Sequence, residues 1–357
     1  MSQRLIAAMV AAPLVGALLI LATFMPLDYV TYAPGYTVDV LAEADGAEII
    51  QVDGHETYRD DGELRMTTVL VSVPKPEGKK NLFNLMWTWA QADDAVYPYD
   101  AVYGKDETPE SNDIEGSVSM VTSQDAATAV ALRELGYDPP QAVDVTYVEP
   151  GTPAEGKLLV RDVFLEVNGK PVTDAQDISD AVEATKPGDS VDFRVRRVRT
   201  EYDVSVEPVT VTDPETGEKV KRIGIQLGTG FIFPFDVTVN INPDIGGPSA
   251  GLMFSLAIYD TLTPGSLTGG ETVAGTGEIA PDGRVGPIGG IQQKIAGARD
   301  DGAELFLVPP DNCKEALGGN NGDMRLVKAT TMHDALVAIQ DWVKDPDADL
   351  PSCKDAA

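Results

Sequence analysis

Residues 244–251 read DIGGPSAG, and residues 287–294 read PIGGIQQK. The first stretch places Ser249 among small residues, at the point where a predicted strand gives way to the apolar start of a helix. The second places Lys294 one turn into another predicted helix. The chain has two histidines, His55 and His333, and neither lies near a convincing nucleophile in the sequence. A Ser–His–Asp triad is therefore disfavoured, and lysine is the available base for a serine nucleophile.

Both residue types need a particular environment for this chemistry. Backbone N–H groups of the first helical turn, with Gly247 and Ala250 as the candidates, point to where an oxyanion would form. A free lysine has a pKa of about 10.4 and is a poor base at neutral pH. Burial among apolar neighbours and the positive end of its own helix would both lower the pKa of Lys294. The alternatives are a helix start that merely packs closely and an ordinary exposed lysine.

The serine and lysine motifs, with TGEI at 276–279 between them and GAELFLVPPDN at 302–312 after them, resemble the proteolytic domain of the Lon family. The resemblance implies an α/β proteolytic fold in which Ser249 is the nucleophile, Lys294 the general base and Thr276 a hydroxyl that holds the lysine. Two positions depart from the family pattern. Gly246 replaces an acidic residue that many Lon proteases carry, and Gln292 replaces the first lysine of GGxKxK. No GxxxxGK[ST] motif is present, so no ATP and no other cofactor is expected.

A second resemblance covers residues 137–208. GTPA at 151–154, RDVFLEVNGKPV at 161–172 and KPGD at 186–189 resemble a bacterial PDZ domain, although Arg161 stands where the family usually has glycine. The resemblance implies a β-rich module that captures extended peptides or chain ends by strand addition. By this analogy the substrate-binding strand contains Ala142, Val143 and Val145. The alternative is a PDZ domain that serves as a spacer or docking surface without binding peptide.

The N-terminal segment Leu5–Leu27 contains no charged residue. A stretch of this length spans a hydrocarbon core of about 30 Å. Because Arg4 precedes it and Asp28 follows it, the positive-inside rule places the N-terminus in the cytoplasm and the rest of the chain outside, in a single-pass membrane protein. The rival interpretation is a cleaved signal peptide.

The composition limits the partners. The formal net charge is −30, which disfavours nucleic acid and anionic lipid as binding surfaces. The two cysteines, Cys313 and Cys353, are an even number compatible with one disulfide outside the cytoplasm, the alternative being two free buried thiols. They do not make a convincing zinc site with two distant histidines, so no metal is expected.

An anchor, a PDZ domain and a Lon-like domain in this order resemble the membrane-bound PDZ-containing Lon-like proteases of Gram-positive bacteria. A predicted helix at 123–135, with Ser123 as its N-cap, resembles an early helix of the Lon domain and indicates that the PDZ domain is inserted in the catalytic fold. Asp100–Gly116 is expected to be an irregular loop. The predicted divisions are an anchor at 1–27, a β-rich part at 28–136, the PDZ domain at 137–208, the Lon-like domain at 209–345 and an acidic tail at 346–357.

The sequence therefore predicts an ATP-independent serine endopeptidase acting on extracytoplasmic or membrane-associated polypeptides, with the PDZ domain recruiting them. The alternative is a non-catalytic membrane scaffold with an inactive Lon-like domain. A narrow processing protease for one membrane-proximal partner would share the chemistry. The family resemblance also implies a homo-oligomeric ring.

Overall fold

The protein is described by a computed structural model that covers residues 2–44, 46–72, 80–104, 107–212 and 216–356. The architecture is mixed α/β. In the part before residue 137, the helices and strands are, in chain order, α1 (Gln3–Phe24), β1 (Tyr29–Asp39), β2 (Glu43–Ala44), β3 (Ala47–Glu48), β4 (Ile50–Asp53), β5 (Glu63–Ser72), α2 (Leu82–Ala90), β6 (Ala95–Pro98), α3 (Tyr99–Val102) and α4 (Pro109–Glu134).

The elements of the middle part are β7 (Gln141–Val148), β8 (Val163–Val167), β9 (Lys170–Pro171), α5 (Ala175–Ala184), β10 (Val191–Arg197), β11 (Thr200–Val206), β12 (Val209–Thr212), β13 (Lys219–Arg222) and β14 (Ile225–Phe231). The last part contains β15 (Asp236–Val239), α6 (Gly251–Leu262), β16 (Thr272–Gly275), β17 (Glu278–Ile279), β18 (Val285–Gly286), α7 (Ile291–Asp300), β19 (Leu305–Val308), α8 (Cys313–Ala316), β20 (Arg325–Lys328) and α9 (Met332–Lys344). Single 3₁₀ turns lie at Pro310–Asn312 and Cys353–Ala356.

The central sheet joins the two ends of the chain. Its strand order is β20-β19-β16-β5-β1-β6. The strands β20, β19, β16 and β5 are parallel, whereas β1 is antiparallel to both β5 and β6. Helices α4 and α6 pack on each other, and their apolar residues share one core with β5, β16, β19 and α9. Residues from before and after the PDZ module thus form one hydrophobic core.

The PDZ module has its own core and its own antiparallel sheet, in the order β11-β10-β8-β7-β14. The predicted end of this module, residue 208, is too early. After β11 the chain forms the β12–β13 hairpin and returns as β14, which pairs with β7 along its length. The sheet that begins at residue 141 therefore closes only at residue 231.

Helix α4 begins earlier than the sequence predicted. Thr108 and Ser111 form a capping box and Pro109 occupies the first helical turn, so Ser123 lies in the interior of the helix and is not its N-cap. The segment 109–116, predicted to be irregular, is helical. The helix ends at Glu134, within one residue of the predicted end at 135, and Gly136 follows the C-cap with a left-handed φ of 86°. Two residues of the predicted loop, 105 and 106, lie outside the described residues.

Helix α1 has 22 residues. By length and composition it is able to cross a membrane, and a signal sequence near an N-terminus would satisfy the same criteria. At the other end of the chain, Cys313 and Cys353 form a disulfide that ties the C-terminal tail to the segment after β19.

Candidate active site

Ser249 lies in the loop between β15 and α6, and hydrogen bonds with three other residues fix this loop. The Gly247 amide donates to the Gly116 carbonyl over 2.9 Å, and the Ser123 hydroxyl donates to the Pro248 carbonyl over 2.9 Å. The Ser249 carbonyl accepts from the Gly277 amide over 2.8 Å. Both Gly116 and Ser123 belong to α4, so this helix supports the serine loop from behind.

The start of α6 requires a glycine. A Cβ on Gly251 would lie 2.7 Å from both the Ile279 Cγ2 and the Ser123 Oγ. A side chain at this position would force Ile279 or Ser123 to shift, so Gly251 lets the first turn of α6 approach β17 and α4. This close packing determines where the half-buried Ser249 side chain lies.

Lys294 lies in the first turn of α7, beside the fully buried Ile291 and Ile295. The lysine is 4% exposed, and its burial lowers the pKa of the ammonium group from 10.5 to about 7. Desolvation disfavours the charged form, because the ammonium loses its water shell without gaining a carboxylate partner among the described residues. The helix is preceded by Gly290, which has a left-handed φ of 70°.

The amine makes three hydrogen-bond contacts. Lys294 Nζ lies 2.8 Å from Ser249 Oγ, 3.1 Å from Thr276 Oγ1 and 3.1 Å from the Thr67 carbonyl oxygen. Thr276, which is fully buried, donates its own hydroxyl proton to the Ser249 carbonyl over 3.0 Å. The structure thus brings together Ser249, Lys294 and Thr276, the three residues that the sequence motifs singled out.

These contacts determine the hydrogen-bond directions around a neutral amine. The Thr67 carbonyl only accepts, and the Thr276 oxygen accepts because its proton is already donated elsewhere. Both N–H bonds of a neutral Lys294 are then used, and its lone pair faces the Ser249 hydroxyl. This arrangement is what proton transfer from serine to lysine requires.

The two predicted oxyanion donors differ in whether their amide is free to bind a substrate. The Gly247 amide is bonded to the Gly116 carbonyl, so the prediction for Gly247 is wrong. The amide of Ala250 donates to no group among the described residues and remains a candidate. Gly247 instead holds the serine loop against α4. The sequence could not indicate this contact, because its partner Gly116 is far away in the chain.

An open sheet edge lies beside Ser249. Thr67 of β5 faces Thr37 of β1, but the Thr37 amide donates to Asp301 and the Thr67 carbonyl accepts from Lys294. The next pair is Val69 with Pro34, and proline has no N–H to donate. Alternate residues of β5 thus direct their backbone groups away from β1.

On that side of β5, strand β16 pairs only as far as Met66. Beyond it, residues 67–71 line a cleft of about 310 Å³ together with Ser249, Lys294 and Gly289. The backbone groups of Val69 and Val71 therefore face the same cleft as the serine hydroxyl.

The predicted substrate strand of the PDZ module is not an open edge. Ala142, Val143 and Val145 pair with Gly230, Thr229 and Leu227 of β14. On its other side β7 contacts β8. Because both sides of β7 are occupied, the prediction that a peptide adds to this strand is wrong; among the described residues, β14 is the edge strand at this end of the sheet.

Sequence reasoning missed two supporting residues. Thr67 acts through its backbone carbonyl, which leaves no side-chain signal. Asn312 accepts from the Ile288 amide and donates to the Ile288 carbonyl, each over 2.9 Å, and so holds the loop that leads into α7. The histidines are elsewhere: His55 stacks on Phe235 with ring centroids 4.6 Å apart, and His333 contacts Glu134.

Comparison with known protein families identifies two domains in the chain. Residues 241–334 match the family model of the Lon protease (S16) C-terminal proteolytic domain, and residues 145–197 match the PDZ domain model. The chain therefore combines a Lon-type proteolytic domain with a PDZ domain in a mixed α/β fold.

The chain is also similar to curated Lon proteases. Lon protease 2 of Bacillus subtilis is 33% identical over 121 residues, which are 33% of this chain and 21% of that protein. The mitochondrial Lon protease homolog of Debaryomyces hansenii is 46% identical over 70 residues, 18% of this chain and 6% of that protein. The chain thus spans less than a quarter of the length of either relative.

Among solved structures, the PDZ domain of an SdrC-like protein from Listeria innocua is 26% identical, with a TM-score of 0.22; the match covers 24% of this chain and 92% of that one. The corresponding domain from Listeria monocytogenes is 24% identical, with a TM-score of 0.21, covering 24% and 86%.

Proposed function

We propose that this protein is a serine endopeptidase that hydrolyses peptide bonds with a Ser249–Lys294 dyad and does not use ATP. The observation that carries the proposal is the 2.8 Å contact between a buried lysine amine, with its pKa near 7, and a serine hydroxyl. A base with a pKa near the working pH is most effective in proton transfer.

In the proposed reaction, the Lys294 lone pair takes the Ser249 hydroxyl proton while Oγ attacks the scissile carbonyl carbon. The carbonyl π electrons move to oxygen, and the Ala250 amide is the candidate donor to that oxyanion. As the intermediate collapses, the C–N bond breaks and the lysine returns the proton to the leaving amine. Water then attacks the acyl-enzyme with Lys294 again as base, and the carboxylic acid leaves as Ser249 is restored.

Thr276 has a positioning role in this proposal. Its hydroxyl is committed to the Ser249 carbonyl, so it presents a lone pair to Lys294 and keeps an N–H of the amine directed away from the serine. With the Thr67 carbonyl it fixes which face of the amine meets the nucleophile.

The substrate in this proposal is an extended polypeptide. A segment lying along Val69–Val71 would satisfy the open backbone groups of β5 and pass Ser249 in the same cleft. A folded domain presents no free strand of this kind, so the expected substrates are unfolded segments and chain ends.

The PDZ domain and the N-terminal helix suggest where such substrates come from. We place the chain in the cell membrane through α1, with the catalytic part outside the cytoplasm, and the disulfide supports an oxidising compartment. The edge of β14 is the place at which the PDZ domain would recruit extracytoplasmic or membrane-associated polypeptides. A homo-oligomeric ring remains an expectation from the family resemblance.

The test is cleavage of an unstructured, fluorophore-labelled polypeptide by the full chain in detergent or vesicles without nucleotide. Ser249→Ala and Lys294→Ala are each expected to abolish cleavage, whereas Lys344→Ala, which removes an exposed lysine of α9, is expected to leave it unchanged. Retained cleavage in either site variant would contradict the dyad.

The alternative function is a non-catalytic scaffold in which the Lon-type domain is inactive. It predicts that an active-site serine label, such as a fluorophosphonate, fails to modify Ser249 in the folded protein and that no polypeptide is cleaved. Labelling at Ser249 that is lost in Lys294→Ala would exclude it.

A further inference from the structure

Helix α2 has an unusual composition for this chain. Residues 81–92 read NLFNLMWTWAQA and contain no charged residue, although the chain carries 57 aspartates and glutamates. Two of the three tryptophans of the protein, Trp87 and Trp89, lie in this helix. In a soluble acidic protein, a surface helix of this kind would be expected to carry charges.

The apolar side chains of α2 are nevertheless exposed. Trp87 is 72% exposed, Trp89 77% and Met86 56%, and Leu85 is the buried residue of the helix. Large contiguous apolar surfaces of this kind mark an interaction with a partner or a membrane. The helix therefore packs through one narrow face and leaves an aromatic surface uncovered.

The position of α2 identifies the partner. The Leu27 amide, three residues after the end of α1, donates to the Lys80 carbonyl over 3.0 Å, and α2 begins two residues later. Leu82 and Phe83 then line an apolar groove together with residues of the C-terminal half of α1. The uncovered surface of α2 is thus continuous with the side of the candidate membrane span.

We propose that α2 is an interfacial helix that lies in the lipid headgroup region of the bilayer crossed by α1, on the side where the catalytic part emerges. This inference rests on the proposed membrane insertion of α1. Tryptophan favours this depth because its ring is apolar and its N–H reaches water. The absence of charge along residues 81–92 fits lipid in a chain whose other surfaces are strongly acidic.

The helix is also joined to the catalytic centre. Asp93, three residues after α2, accepts from the Gln293 side chain through its carbonyl over 3.0 Å. Its carboxylate pairs with Arg299 over 3.0 Å. Gln293 and Arg299 both lie on α7, the helix of Lys294, so the bilayer contact would hold the site at a fixed height above the membrane.

The experiment uses the full chain carrying Trp342→Phe, which leaves Trp87 and Trp89 as fluorophores. It is reconstituted in phosphatidylethanolamine–phosphatidylglycerol vesicles with lipids brominated near the top of the acyl chain. We expect blue-shifted emission that loses most of its intensity in the brominated vesicles and is little affected by acrylamide in the water. Quenching by acrylamide without quenching by bromine would show that α2 faces water, and quenching by neither would show that the tryptophans are covered by this chain itself or by a second copy of it. Either result overturns the proposal.

A second measurement separates this inference from the proposed activity. The Trp87→Ser, Trp89→Ser double variant is expected to cleave a soluble peptide at the unchanged rate but a lipid-anchored copy of the same peptide several-fold more slowly. Equal loss on both peptides would assign α2 a structural role. An alkaline wash of the vesicles reports separately whether α1 spans the bilayer, and release of the parent chain would contradict the premise.

Discussion

Among the described residues, the buried groups Lys294 and Asp144 both have pKa values of about 7, and they reach that value from opposite directions. Burial lowers the pKa of Lys294 from 10.5 to about 7, and burial raises the pKa of Asp144 from 3.8 to about 7. Desolvation favours the neutral form of both groups. A perturbed pKa by itself thus does not distinguish a catalytic group from a structural one.

The surroundings distinguish them. Lys294 Nζ has three partners and faces a hydroxyl in an open cleft. Asp144 lies between the PDZ sheet and α4, hydrogen-bonded to the carboxyl group of Asp125, and its Oδ1 has no partner among the described residues. Arg161, held at a left-handed φ of 70°, donates to Asp125 over 2.9 Å. The Lys294 amine has its hydrogen-bond partners and faces a serine hydroxyl, whereas the Asp125–Asp144 carboxyl pair leaves one oxygen without a partner among the described residues.

The largest expected effect on activity comes from removing the amine of Lys294. Lys294→Met is expected to lower kcat/KM by about 10³-fold or more, the scale seen when a catalytic base is lost. Because burying the amine costs free energy, the same variant is expected to unfold at the same or a higher temperature than the parent. Turnover and thermal unfolding of the two proteins check this, and a large loss of stability would mean that the lysine is structural.

The pH dependence comes next. If neutral Lys294 is the base, kcat/KM for an unstructured peptide is expected to rise with pH and to level off above about pH 7. Asp144→Asn is the matched control: it removes the buried carboxyl group whose pKa is also about 7 and is expected to keep the same inflection. If the inflection disappears in Asp144→Asn, the titrating group is Asp144, and the assignment of the inflection to Lys294 is contradicted.

A smaller effect is expected at Thr276. Thr276→Val removes the hydroxyl that links the Ser249 carbonyl to Lys294 and is expected to lower kcat by about tenfold to a hundredfold, the loss of one or two hydrogen bonds to a functional group. The inflection in the pH profile is expected to shift as well, because the amine loses a partner. Thr276→Ser keeps the hydroxyl and is expected to restore most activity; equal loss in both variants would contradict a role for the hydroxyl.

The smallest expected effect is that of Asp144→Asn on the pH dependence of the free energy of unfolding. Its pKa is raised in the folded protein, so folding binds a proton that the unfolded chain releases. The stabilisation is fully present below about pH 4 and is lost as the pH rises through about 7. Asp144→Asn is expected to flatten the part of the stability profile between these values, measured by urea unfolding. An unchanged difference between the variant and the parent at every pH would contradict this assignment.

The sequence predicted the elements whose signals are local. Small residues around Ser249, the apolar neighbours of Lys294 and the turn residues of the PDZ motifs indicate the domain types, and they single out side chains that the structure brings together, without reference to distant contacts. What it could not predict depends on long-range pairing. The Gly247 amide is used by Gly116, the strand at Ala142–Val145 is covered by β14, and the Thr67 carbonyl reaches Lys294 across 227 positions. Backbone groups carry no side-chain signature, so their partners appear only when the chain is folded.

The short open edge of β5 has a consequence for which substrates such an enzyme would cleave. Under the proposed function, the edge at Val69–Val71 accepts only chain that is already extended, and nothing in the proposed reaction supplies work to extend it. The rate at which a folded partner is cut would then follow how often the partner opens locally by itself. Such a protease would discriminate among neighbouring proteins by their local stability, cutting fastest those whose segments unfold most often.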